Sequence, residues 1–205
     1  MLLLQLNNIK KSFNGNVVLD NINLEVKNGD CIYIHGKNGC GKSTLFKIIC
    51  DILKADEGII SKSDNTHIGA LIENPGFIES ESIKFNLKFL GSLKNNYDEH
   101  KIIKLCNDYF LDFNNRSVLK NYSVGMRQKV GIIQAVMENQ NLILFDEPTR
   151  GLDDDSITVF EGMVNMLIEE GKSVIIASHD LLPNILYSKK YLLENGKLVS
   201  EWRKY

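Results

Sequence analysis

The run GKNGCGKST, Gly36 to Thr44, matches the spacing G-x-x-x-x-G-K-[ST], and each residue type in it suits the binding of phosphate. Gly36, Gly39 and Gly41 let the backbone curl. Successive N–H groups, those of Lys37, Asn38 and Cys40 among them, can then point at phosphate oxygens together with the N-terminus of a following helix that takes in Thr44. In such a loop Lys42 reaches the β and γ phosphates and the Ser43 hydroxyl ligates Mg²⁺. A second run, LILFDEP (Leu142 to Pro148), is a strongly apolar strand ending in two adjacent carboxylates. Asp146 at its tip suits Mg²⁺ through the ion's hydration shell, and Glu147 suits a water attacking the γ-phosphate. Together the two runs read as a nucleotide site for ATP and Mg²⁺.

Elements must position these residues. The spacing predicts strands over Leu2 to Lys10 and Val17 to Val26, punctuated by Asn14-Gly15 and Asn28-Gly29, which is an antiparallel start. A buried strand, Cys31 to His35, precedes the glycine-rich run, and a helix from Thr44 to Ile52 follows it. Strand character returns at His67 to Ile72. From Ser82 to about Asn139 the pattern is nearly all helical, with Ile102, Ile103, Leu105, Tyr109 and Phe110 on one helix side. Strands resume at Leu142 to Phe145 and Ser173 to Ala177, around a helix from Ser156 to Glu170 closed by Gly171. A final β pair, Lys190 to Glu194 and Lys197 to Glu201, surrounds Asn195-Gly196. The sum is an α/β core with an antiparallel β subdomain and an inserted helical one, divided as 1–74 plus 140–205 and 75–139.

Composition narrows the function. The chain has 205 residues, 43% of them apolar and 24% charged, which suits one globular domain. A formal net charge of -2 with scattered Lys and Arg gives no phosphate-backbone footprint, so nucleic acid is not expected as a partner. No apolar run has the length of a spanning helix, and the start MLLLQLNN lacks the pattern of a signal peptide, so a cytoplasmic location is expected. Cys31, Cys40, Cys50 and Cys106 have neither C-x-x-C spacing nor His neighbours, which argues against a metal cluster or a disulfide framework.

The phosphate loop and carboxylate strand, taken with YSVGMRQKV (Tyr122 to Val130), GLD (Gly151 to Asp153) and SHD (Ser178 to Asp180), resemble the ATP-binding subunits of ABC transporters across essentially the whole chain. The resemblance implies a P-loop NTPase core carrying a helical signature subdomain. It implies that Phe13 in KSFNG stacks on adenine and that Ser123 and Gly125 bind the γ-phosphate of ATP held by a second subunit. Tyr122 and Val124 depart from the commonest LSGGQ form. Asp153 would lie in the loop crossing between two sites, and His179 would touch the γ-phosphate. Catalysis would thus rest on Glu147, His179 and Lys42. A homodimer or paired ATPase subunit in the ATP-bound state and membrane permease subunits are implied as partners, holding the chain at the inner face of the membrane. The other reading, a soluble ATPase of the same type acting on nucleic acid or ribosomes, lacks its usual tandem cassettes and basic extensions here.

Glu73, in IGALIENPGF, stands where the resemblance implies a glutamine that senses the γ-phosphate and Mg²⁺. A carboxylate there resembles the subgroup that exports antimicrobial peptides such as bacitracin or lantibiotics. It would bring an anion close to Asp146 and Glu147, so Mg²⁺ must be held more firmly or one carboxylate must keep a proton. The Phe-rich stretch Pro75 to Leu90, with Phe77, Phe85 and Phe89, is the expected docking stretch for the permease.

Overall fold

The computed structural model describes residues 1–73, 76–93 and 97–201. Strands β1 (Leu2–Phe13) and β2 (Asn16–Lys27) form an antiparallel ribbon. A strand absent from the sequence reading, β4 (Glu57–Lys62), pairs with the other edge of β1. Its pattern is nearly all exposed, with Ile59 and Ile60 adjacent rather than alternating, so only its backbone pairing with β1 marks it as a strand.

Six strands make the second sheet, in the order β5-β6-β7-β3-β8-β9. They are β3 (Cys31–His35), β5 (Ile68–Leu71), β6 (Leu142–Asp146), β7 (Ser173–Ala177), β8 (Lys189–Glu194) and β9 (Lys197–Ser200), and only β9 runs antiparallel to its neighbour. The unbroken apolar runs of β3, β6 and β7 follow from burial on both faces. With side chains alternating, Ile143, Phe145, Val174 and Ile176 join one core cluster with the helical segment. Leu142, Leu144, Ile175 and Ala177 join the other, beneath the three-stranded sheet and helix α1 (Lys42–Ile49).

Between β5 and β6 lie α2 (Ile83–Ser92), α3 (Glu99–Asp108) and α4 (Val124–Val136), with α5 (Asp154–Glu169) joining β6 to β7. The helical segment is less continuous than its sequence suggested. Helix α3 stops at Asp108 and Phe110, in the left-handed region at φ 57°, is exposed, whereas Ile102, Leu105 and Tyr109 are buried. Leu111 N–H donates to the Cys106 carbonyl and closes that helix end. Pro75 lies outside the described residues. Of the docking rings, Phe77 packs against the helical core, while Phe85 and Phe89 stack at 6.3 Å and remain 45% and 43% exposed. Buried Asn86 accepts from Ile78 N–H and donates to the carbonyls of Ile78 and Ser82, fastening the approach to α2.

Candidate nucleotide site

The carboxyl ends of β3, β6 and β7 converge, and each delivers a functional group. After β3, the loop Gly36–Gly41 leads into α1 with Gly41 as the N-cap at φ 110°. No side chain caps that helix end, so its first N–H groups are free to meet an anion, and only glycine takes this φ without strain. Lys42 Nζ donates to the Gly36 carbonyl at 2.8 Å, bending the lysine back across the loop.

Strand β6 ends at Asp146, which accepts from Ser43 Oγ at 2.5 Å. Burial holds the Asp146 carboxyl above its ordinary range and nearby Glu147 adds to this, while the Ser43 hydrogen bond and Lys42 oppose it. Glu147 takes the left-handed conformation at φ 47°, an uncommon state for this residue type that turns the chain sharply off the strand. Its Oε2 lies 2.8 Å from His179 Nδ1 and accepts from Ser178 Oγ at 3.2 Å. Its Oε1 lies 3.4 Å from Lys42 Nζ and is buried without a hydrogen-bond partner. Thus one carboxylate joins the phosphate loop, the second strand and the residue following the third. Gln128, on α4, holds the turn from beneath, donating Nε2 to the carbonyls of Glu147 (3.0 Å) and Pro148 (2.9 Å).

Three adjoining cavities surround these groups. One of about 600 Å³ is lined by Val17, Val18, Lys37, Asn38, Gly39, Cys40 and His179, among others. A smaller one of about 270 Å³ is walled by Asn38, Gly41, Lys42, Ser43, Thr44, Glu73, Asp146 and Glu147. The third runs from Ser43, Asp146 and Glu147 to Tyr122, Val124 and Arg127 of the YSVGM run. Phe13 is exposed at the end of β1, with Lys11 Nζ 5.4 Å from its ring centre, and it does not wall any of the three.

Ser123, Gly125 and Asp153 form a separate group. Ser123 N-caps α4, its Oγ accepting from Met126 N–H at 3.1 Å. Gly125 lies so close to the Gly151 carbonyl that a Cβ there would sit 2.2 Å from the oxygen. Asp153 N-caps α5, and the Ser156 hydrogen bonds, with Lys129 alongside, hold its carboxyl down at about 2.

Glu73, at φ 53°, lines two of the cavities beside Asp146, but its Oε1 meets Lys47 Nζ at 2.7 Å. Lys47 stands one helical turn beyond Ser43 on α1. A cation beside the added anion is a route the sequence reading did not consider, and it offsets the like-charge conflict in part, since Glu73 still adds to the upward push on Asp146. Among the described residues no group of three or more His, Cys, Asp or Glu side chains is gathered to hold a metal. The hydroxyl and carboxylate of Ser43 and Asp146 suit an ion that keeps most of its water and takes other ligands from phosphates, as Mg²⁺ does. The unpartnered, buried Glu147 Oε1 beside them suits a polar guest.

Residues 19–150 match the family model described as ABC transporter. The chain belongs to that family. It is 29% identical to the lantibiotic transport ATP-binding protein SrtF of Streptococcus pyogenes, over 97% of this chain and 90% of SrtF. It is 30% identical to the bacitracin transport ATP-binding protein BcrA of Enterococcus faecalis, over 85% of this chain and 60% of BcrA. A bacterial ABC transporter cassette solved as a dimer superposes with a TM-score of 0.81 at 23% identity, covering 95% of this chain and 96% of that one, a likeness of fold. The chain is accordingly an ATP-hydrolysing subunit that powers a transporter, and the soluble reading is not favoured.

Proposed function

We propose that this ABC subunit hydrolyses ATP with Mg²⁺ in a closed pair of subunits, docks on a membrane permease, and powers the export of an antimicrobial peptide. The observation that carries the hydrolytic reading is the convergence of Lys42, Asp146, Glu147 and His179 at the ends of β3, β6 and β7. An antimicrobial peptide as the cargo is supported by the names of SrtF and BcrA, which say lantibiotic transport and bacitracin transport. Mg²⁺ would be held by Ser43 and Asp146 and would neutralise charge on the phosphate oxygens. Lys42 and the free N–H groups of α1 hold the phosphates, and Glu147 takes or orients the proton of the attacking water. His179, hydrogen-bonded to Glu147, holds the γ-phosphate side of that water. Phe13, at the end of β1, offers an exposed ring on which the base would stack.

Ser123 and Gly125 do not line the cavity walled by Lys42, although Tyr122 and Val124 line one adjoining it, which supports a site completed by another subunit. Asp153 would then sit at the crossing between the two sites. Residues 75–139 would move as one helical body against the core of 1–74 and 140–205. Among the described residues no helix is long and apolar enough to cross a membrane, so attachment at its inner face would come through the permease.

Docking is assigned to the exposed Phe85–Phe89 pair rather than to Phe77. Co-expressed with its permease, Phe85→Glu should weaken co-purification by about thirtyfold, the effect of losing about 2 kcal/mol at an aromatic anchor, while the ATPase of the isolated subunit persists. Phe77→Glu should instead damage the helical core. Unchanged assembly in Phe85→Glu and Phe89→Glu would remove this face from the docking model, and loss of peptide resistance with assembly intact would point elsewhere on α2.

The Lys47–Glu73 pair gives a second prediction. Half-exposed pairs of this kind contribute about 0.2–1 kcal/mol, so Lys47→Met should shift the Mg²⁺ concentration for half-maximal ATPase by up to about fivefold. Adding Glu73→Gln should cancel the shift by removing the uncompensated anion. Equal Mg²⁺ and pH profiles in the single and double variants, with parental transport, would reduce Glu73 to a surface residue.

A further inference from the structure

Helix α5 carries a buried carboxylate that the chemistry above does not use. Glu161 is only 4% exposed, and no basic group pairs with it among the described residues. Instead its Oε1 accepts from Asn184 N–H at 3.2 Å and its Oε2 from Asn184 Nδ2 at 2.7 Å. One turn further along the same helix face, Asn165 Nδ2 donates to the Asn184 carbonyl at 2.8 Å, and its Oδ1 accepts from Leu186 N–H at 3.4 Å. The backbone from Asn184 to Leu186 is therefore bonded to α5 through both side chains. Leu182 before this segment and Ile185 within it are buried in the core cluster shared with α5.

This fastened segment begins five residues after His179. On the other side of His179, Ser178 N–H donates to the Ile34 carbonyl and Ser178 Oγ accepts from Asp180 N–H, so the chain is anchored to the sheet there. His179 sits on a short span between two anchors. Pro183 supplies no N–H and biases Leu182 toward extended backbone, so a helix does not fix this span from within. A carboxylate taken out of water is costly unless its oxygens find donors, and a leucine at the same place would avoid that cost. The donors it has found all belong to the segment that follows His179.

We propose that Glu161, assisted by Asn165, is a positioning residue for His179: it fixes the returning chain so that the imidazole Nδ1 meets Glu147 Oε2. The inference rests on the role given to His179 above, and it ties that residue to the helix capped by Asp153.

The test uses the full chain with ¹⁵N-labelled histidine, the His179 signals being assigned by their loss in His179→Ala. In the parent the ring should show a protonated Nδ1 hydrogen-bonded to a carboxylate. Glu161→Leu should lose that signature and lower kcat about tenfold, as a displacement well below 1 Å would, with KM for MgATP nearly unchanged. Glu161→Gln should restore most of both, because its amide oxygen still accepts from Asn184 N–H. Asn165→Ala, which deletes a half-buried side chain, should move the same signals in the same direction, and it serves in place of Glu161→Leu if that variant does not fold. Retention of the Nδ1 signature and of kcat in these variants overturns the proposal, even where Tm falls. Parental turnover in His179→Ala would overturn the reading of His179 alone, since the ring signal in the Glu161 variants reports the clamp separately.

Discussion

Glu147→Gln lowers steady-state ATP hydrolysis by about 10²–10⁴-fold while ATP still binds, the range associated with losing a positioned general base. The amide keeps the side-chain volume, and the left-handed turn at φ 47°, braced by Gln128, is set by the backbone. What changes is capacity to accept. In the parent one oxygen faces His179 Nδ1 and Ser178 Oγ, and the other lies buried 3.4 Å from Lys42 Nζ. An amide provides one acceptor oxygen for these two sides and puts N–H groups against either the lysine or the histidine and serine. Neither orientation leaves a free basic oxygen for water. On the proposed pairing, unhydrolysed ATP should hold two subunits together, so the variant should elute as a dimer with MgATP and as a monomer without nucleotide in sizing chromatography. Hydrolysis near the parental rate, or a monomer in both conditions, would show that Glu147 has been given the wrong role.

The residues of this prediction were legible in the sequence because their chemistry is local. Gly36 to Thr44 encode a turn and a helix start within nine residues, and Asp146 and Glu147 sit at the end of an apolar run short enough to read as a buried strand. The α/β alternation was legible for the same reason. What escaped reading depends on partners distant in the chain. Strand β4 is defined by backbone pairing to β1; Phe110 is the local exception, turned outward by the end of α3 two residues earlier. Gln128 meets the carbonyls of Glu147 and Pro148, and Lys47 meets Glu73 across 26 positions. A lysine one turn after Ser43 was visible in the sequence, but nothing in the spacing said that the chain after β5 would turn toward it. Glu161 and Asn165, at helical spacing, look in sequence like an ordinary solvated face, and only the return of Asn184 makes one of them a buried acid.

The contact between Gly125 and Gly151 is another such distant meeting, and it carries the second large prediction. A Cβ on Gly125 would lie 2.2 Å from the Gly151 carbonyl oxygen and 3.3 Å from its carbon, both backbone atoms that no rotamer change can move. Gly125→Ala must therefore push the start of α4 away from the turn that leads to Asp153, by about 1 Å to regain ordinary contact. Gly125 is two residues beyond the N-cap Ser123, so the displacement is delivered to the Ser123 hydroxyl and to the free N–H groups of that helix. A misplacement of this size in a phosphate-holding group can cost about 10²-fold in rate, and turnover should fall by that order. The phosphate loop belongs to β3 and α1 and is untouched, so ATP affinity of the single subunit should stay near the parent value. Gly162→Ala is the matched control: it lies mid-helix on α5 with nothing within 4 Å of its Cβ, and it should raise stability by about 0.5–1 kcal/mol with turnover intact. Equal loss of ATP binding and hydrolysis in Gly125→Ala would mean that the change has disturbed the whole fold, whereas parental hydrolysis would detach Ser123 and Gly125 from catalysis. Loss of turnover with binding preserved is the result that a site completed by a second subunit requires, because the substitution then leaves the ATP-holding half untouched and disables the half that closes on it.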